Sequence, residues 1–199
     1  MRLRSVLSLT ILSLTVAVVS ACDGSASRRA TPESPSRSLD TNSAPRVADP
    51  IMNTKPYESD PCSTVPTSTV ESLGGKVTRT DVDTDSTGTS CAWIFSGNAG
   101  NINAGLVTGN KEGLSALYTG HRTGTLTKFQ PYENVEGYPA VVYARGGEGQ
   151  GTCNLAVGVR DNLTYTVVAL LRTESPALSD PCGLAAKIAA AAVGTMKVT

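Results

Sequence analysis

The chain has 199 residues and carries 17 Lys plus Arg against 17 Asp plus Glu, a formal net charge of zero. That balance argues against a nucleic-acid binder, which needs a clustered basic surplus to meet phosphate, and the length suits one domain of ordinary size with extensions. Aromatic residues are few at 5%, His and Trp occur once each, and the pattern is neither coiled-coil nor polytopic.

The first segment reads as a targeting signal. Arg2 and Arg4 form a positive start, and Val6 to Val19 is apolar, broken only by Ser and Thr. That run is shorter than the ~20 apolar residues a spanning helix needs, and it suits a signal peptide over 1–21. It ends in Val19-Ser20-Ala21-Cys22, small residues ahead of a Cys. The motif resembles the lipobox of bacterial lipoproteins, which implies diacylglyceryl on the Cys22 sulfur and cleavage before it. Two or three acyl chains then hold a protein stably on a membrane. The expected location is the extracytoplasmic face of the cell membrane, with the lipid as membrane partner.

Residues 22–58 change character. They carry Pro32, Pro35, Pro45, Pro50 and Pro56 among Ser and Thr, with Tyr57 as their one aromatic and charges that cancel. So little apolar surface does not offset the cost of ordering a chain. The segment is therefore expected to be a disordered tether ahead of a folded domain over 59–199.

Cysteines organise that domain. Cys62, Cys91, Cys153 and Cys182 form an even set, and in an exported chain such sets persist as disulfides. Cys62 lies 29 positions before Cys91, and Cys153 lies 29 before Cys182. The tetrapeptide Ser59-Asp60-Pro61-Cys62 recurs as Ser179-Asp180-Pro181-Cys182. In each copy Asp can cap a helix whose first turn tolerates Pro, which places Cys in that turn. Cys91 and Cys153 begin strand-like runs, so the preferred reading is two local helix-to-strand staples, Cys62–Cys91 and Cys153–Cys182. A crossed pairing through Cys62–Cys182 and Cys91–Cys153 is the alternative. A zinc site is disfavoured because no close Cys-x-x-Cys pair occurs.

Periodicity sets out the remaining elements in order. Val65, Val70 and Leu73 with Gly74-Gly75 as stop predict a short helix, despite Pro66 in its first turn. Lys76 to Val82, Cys91 to Ser96 and Ile102 to Thr108 predict strands, the last two joined by a Gly- and Asn-rich turn. Leu114, Leu117 and Tyr118 predict a helix from Glu112 to His121. Phe129 to Val135, Tyr138 to Arg145, Cys153 to Arg160 and Leu163 to Arg172 predict further strands, with Asp161-Asn162 turning between the last two. Leu184, Ala185, Ile188, Ala189, Ala192 and Val193 form one apolar stripe on a closing helix. Consecutive hairpins make the sheet antiparallel, so the expected fold is α+β: about six or seven strands packed with helices and two disulfide staples.

This order resembles the actinobacterial lipoproteins classed as domain of unknown function 3558. The resemblance rests on the lipobox, the Pro-rich stretch, Asp60-Pro61-Cys62, Cys91-Ala92-Trp93, Val135-Glu136-Gly137-Tyr138-Pro139-Ala140-Val141, Cys153 and Asp180-Pro181-Cys182. It implies a cell-envelope lipoprotein with an antiparallel α+β fold, and it brings no catalytic residues or activity.

Candidate chemistry is sparse. His121 ends a helix, where a cation meets the helix dipole favourably, and no Gly-x-Ser-x-Gly elbow accompanies it. Asp81, Asp83 and Asp85 alternate as in a calcium loop, but Gly88 comes two places late and Ala92 stands where the bidentate Glu belongs, so a solvated hairpin tip is preferred. The glycines of Arg145-Gly146-Gly147-Glu148-Gly149-Gln150-Gly151 lie between two strands and read as a hairpin loop, not a phosphate cradle. Trp93, Tyr132, Tyr138 and Tyr143 are candidates for a ligand groove, with Tyr138 of the Gly-Tyr-Pro segment the favoured binding residue. The expected function is non-catalytic binding of a protein, cell-wall component or small ligand, without cofactor, metal or nucleic acid. The alternatives are an extracytoplasmic enzyme using carboxylate or Tyr side chains, and a lipid carrier, which needs a large apolar cavity between sheet and helix.

Overall fold

Alternating apolar positions build seven strands in the computed structural model, which describes residues 43–198. The expected signal segment over 1–21, the expected anchor Cys22 and the expected tether as far as residue 42 lie outside the described residues. The chain runs through α1 (Lys55–Ser59), a 3-10 turn (Pro61–Thr64), α2 (Thr67–Gly74), β1 (Val77–Asp85), β2 (Gly88–Phe95), a second 3-10 turn (Ser96–Asn98) and β3 (Gly100–Val107). It continues through α3 (Ser115–Arg122), β4 (Lys128–Val135), β5 (Tyr138–Ala144), β6 (Thr152–Arg160), β7 (Leu163–Leu171) and α4 (Pro181–Lys197). The strands form one sheet in the order β1-β2-β3-β7-β6-β5-β4, with every neighbouring pair antiparallel. The α+β sheet fold expected from periodicity is the one observed.

Register decides which side chains go inside. Trp93 stands opposite Ile102, Ile102 opposite Ala169, and Ala169 opposite Cys153, so these residues share one face. Opposed residues of an antiparallel pair project to the same side, and α4 covers this side across β6 and β7. Trp93, Tyr165, Ile102, Leu155, Ile188 and Met196 fill the layer between them, each less than 2% exposed. α4 supplies Leu184, Ala185, Ile188, Ala189, Ala192, Val193 and Met196, a stripe one helical repeat wide.

The two Ser-Asp-Pro-Cys copies behave differently. Asp180 caps α4, its Oδ1 accepting from the Gly183 N–H at 2.8 Å. Asp60 makes no such side-chain bond, and its Cys62 sits in the 3-10 turn, not in an α-helix. The cause is Pro66, whose ring forces Val65 into extended backbone at φ −136° and ψ 120°, so the first turn cannot propagate. A new helix, α2, begins only after the proline. Both staples nevertheless form as the spacing predicts, Cys62–Cys91 and Cys153–Cys182, with Cα separations of 4.9 and 5.2 Å.

Two boundaries differ from expectation. β1 and β2 extend to a hairpin turning at Ser86-Thr87, where the Asp85 carboxylate accepts from the Thr87 N–H at 2.7 Å and the Thr87 hydroxyl at 2.6 Å. More consequentially, residues 43–58 are not a disordered tether. Ile51, Thr54 and Tyr57 are buried, and the Ile51 N–H donates to the Val159 carbonyl at 3.0 Å. Average composition hid a few apolar side chains that dock on a finished sheet.

Each staple closes a loop of about 30 residues, worth about 3.5 kcal/mol in the chain-entropy account. Replacing Cys62 and Cys91 together by Ala should lower unfolding stability in urea by up to that amount. Non-reducing peptide mapping should recover Cys62–Cys91 and Cys153–Cys182; a Cys62–Cys182 peptide would contradict the fold.

Candidate functional site

The opposite face of the sheet is only half covered. α3 packs there through Leu114, Leu117 and Tyr118 against Val141 and Ala156, which shields β5 and β6. Beside α3, the outer positions of β2, β3 and β7 carry short or polar side chains. Asp83 stands opposite Ser90, Ser90 opposite Gly105, and Gly105 opposite Thr166. A second row runs Asn103, Val168, Asn154, Tyr143. The small side chains leave a groove of about 800 Å³, within the range of ligand sites.

Ser90, Asn103, Gly105, Thr164, Thr166 and Val168 form its floor, and Leu117, Gly120 and Leu126 its wall. Gly105 keeps the floor low, since a Cβ there would run into the Thr89 carbonyl. Asp83 and Asp85 stand at one end and Tyr143 and Arg145 at the other.

Asp85 at one end and Tyr143 at the other are pushed in opposite directions. Asp85 lies below the ordinary carboxylate range because the Thr87 hydroxyl, then the Thr87 and Gly88 N–H groups, donate to it. Tyr143 lies above its ordinary value because burial disfavours the phenolate, against the opposing pull of the Arg145 cation and a bond with Thr166. Hydrogen bonds hold the first charge in place and desolvation keeps the second group neutral.

Among the aromatic candidates, the sheet brings only Tyr143 to this groove. Trp93 is a core residue with no exposure, and Tyr132 is half-buried on an edge strand packed against the core. Tyr138 is corrected from a binding surface to an interior anchor. It is 4% exposed, its hydroxyl donates to the Asp49 carbonyl at 2.7 Å, and the Lys197 ammonium lies 5.5 Å from its ring centroid. The strap that covers it, residues 43–54, is the segment composition had assigned to the tether. Val47 N–H and the Arg46 guanidinium both donate to the Asp161 carboxylate, at 2.9 and 3.1 Å, and Arg160 reaches the Met52 carbonyl and Thr54 hydroxyl at 3.4 Å.

The other candidates also find their places. His121 stacks on Phe129 with centroids 4.5 Å apart and planes at 10°, while Tyr118 meets the same ring edge-on. Asp81, Asp83 and Asp85 lie along an extended strand that carries the outer two about 13 Å apart, so the three do not gather as in a calcium loop, and Asp81 pairs with Arg79 at 2.8 Å. In the β5–β6 loop, the Glu148 carboxylate accepts from the Arg145 and Gly146 N–H groups, both at 2.7 Å. Two of that loop's backbone donors are therefore engaged by the chain's own carboxylate. The groove floor was missed in sequence, although the polar half of the alternation in Asn101-Asn103 and Thr164-Thr166 is its signal.

A family model described as "Protein of unknown function (DUF3558)" matches residues 17–195. The chain belongs to that family. No curated protein and no solved structure matches it.

Tyr138→Ala should cost about 3–5 kcal/mol, as for other large buried aromatics, and Tyr138→Phe about 1 kcal/mol for the lost hydroxyl bond. Urea unfolding measures both. A surface contact residue would instead change stability by less than about 0.5 kcal/mol.

Proposed function

We propose that this DUF3558 member is a lipid-anchored, extracytoplasmic binding module whose ligand occupies the groove between α3 and the open face of β2, β3 and β7. The observation that carries the reading is the groove itself, a concave site of about 800 Å³ on strands held from behind by α4 and two cystines. Rigid strands position side chains more closely than loops do, which suits recognition. Disulfides within the domain support an oxidising compartment outside the cytoplasm. The Val19-Ser20-Ala21-Cys22 motif supports attachment through Cys22.

Binding is favoured over catalysis by the side chains that line the groove. Among the described residues the groove lining contains no His, Cys or Glu, and Asp85 is held by Thr87 and Gly88 and does not face Tyr143 across a short gap, so no nucleophile–base pair is assembled there. The lipid-carrier reading has no space on the α4 side of the sheet, where Trp93, Tyr165 and Ile188 are packed without exposure, and on the α3 side the groove floor presents Ser90, Asn103, Thr164 and Thr166, whose polar groups do not suit an acyl chain.

Two experiments test the proposal. Cys22→Ala should move the chain from the membrane fraction to the medium or leave an uncleaved precursor; processed protein that stays on the membrane would refute the anchor. A photo-crosslinking residue at Thr166 should trap a ligand in intact cells, and Val168→Trp, which fills the floor, should abolish the adduct. The same probe at Lys187, exposed on α4, should trap none. Adducts that survive Val168→Trp, or that form only at Lys187, would place the ligand elsewhere.

A further inference from the structure

We infer that the groove receives a short extended peptide segment with a cation at one end and an anion at the other, a conclusion that rests on the groove being the ligand site. Charge is distributed along it with a clear polarity. Asp83 and Asp85 line the β1–β2 end, Arg145 lines the β5 end, and the remaining lining residues carry no formal charge. The neighbouring charges are already committed. Asp81 is paired with Arg79, Asp85 accepts from Thr87 and Gly88, and Glu148, still an anion, accepts from the backbone N–H groups of Arg145 and Gly146, so Asp83 and the Arg145 guanidinium are the charged groups of the groove left to meet a ligand. The Arg145 guanidinium makes no ion pair among the described residues.

The dimensions select the occupant. From Asp83 on β1 to Arg145 at the end of β5 the sheet order gives five strand steps. At about 4.8 Å per step this is about 24 Å across the sheet, and Arg145 lies four residues, about 13 Å, beyond Val141, the β5 residue in line with Asp83, so the two ends are about 27 Å apart, the length of about seven to eight extended residues. Between the ends, Ser90, Asn103 and Thr166 offer hydroxyl and amide groups that suit a peptide backbone, while Leu117, Leu126 and Val168 offer apolar contact for side chains. A neutral glycan would leave both charged ends unused, and a polyanion would be repelled at Asp83 and Asp85.

The test uses labelled heptapeptides with one Ser/Thr/Val core and different end residues, read by fluorescence anisotropy on the full purified chain in detergent. The peptide with Lys at one end and Glu at the other should bind about three- to fivefold tighter, per charged end, than the peptide with uncharged ends. The advantage should fade as salt is raised from 0.05 to 0.5 M. Arg145→Glu makes both ends acidic, so this variant should come to prefer the peptide with Lys at both ends. Arg145 is exposed, and only its backbone N–H is engaged. An unchanged preference in Arg145→Glu would overturn the inference. So would binding of none of the peptides while maltopentaose binds and is blocked by Val168→Trp, a result that leaves the groove as the ligand site. Peptide binding that ignores Val168→Trp would overturn both readings.

Discussion

The β3–β7 pairing, from Gly100 opposite Leu171 to Val107 opposite Thr164, joins two antiparallel meanders into one sheet. Its register assigns every central side chain to a face. Ile102, Ala104 and Leu106 go inward with Ala169, Val167 and Tyr165, while Asn103 and Gly105 go outward with Val168 and Thr166. A slip of one residue would exchange the two sets, exposing the apolar half and burying amides and hydroxyls without partners. The core and the groove are therefore two consequences of one alignment.

The paired residues lie 57 to 71 positions apart, so the pairing closes a long loop at an entropic cost that local contacts do not share. Other features reduce the freedom of the chain around it. Each cystine ties a helical turn to a strand of a different meander, Cys62 to β2 and Cys182 to β6. Asp180 fixes where α4 begins, and the strap from Val47 to Thr54 closes over Tyr138 and the end of β6. The stabilising contacts gather on the inner face and around its margins, which leaves the outer face of β2, β3 and β7 unconstrained by packing.

Much of this was legible in the residues because its physics is local. Clean alternation in Cys153-Asn154-Leu155-Ala156-Val157 predicts a strand with a buried side, and equal cysteine spacing predicts local staples. The parts that were missed depend on partners distant in sequence. Ile51 and Tyr57 are ordinary residues of a proline-rich stretch until a sheet exists for them to cover. Tyr138 was favoured as a binding residue in its Gly-Tyr-Pro context, and it is the strap that encloses it. Pro66 interrupts a helix that apolar spacing alone would carry through. The groove was obscured for another reason: sequence patterns mark apolar faces, whereas a site made from Ser90, Asn103, Gly105 and Thr166 is defined by side chains that are small.

The central claim is that the domain acts through this outer face. Amide chemical-shift mapping of the full chain during addition of the Lys- and Glu-ended heptapeptide tests it most directly. The account predicts that shifts concentrate at Ser90, Asn103, Thr166, Val168 and the Arg145 loop, with α4 unchanged. Shifts centred on Tyr138 and α4, or none at saturating peptide, would contradict it.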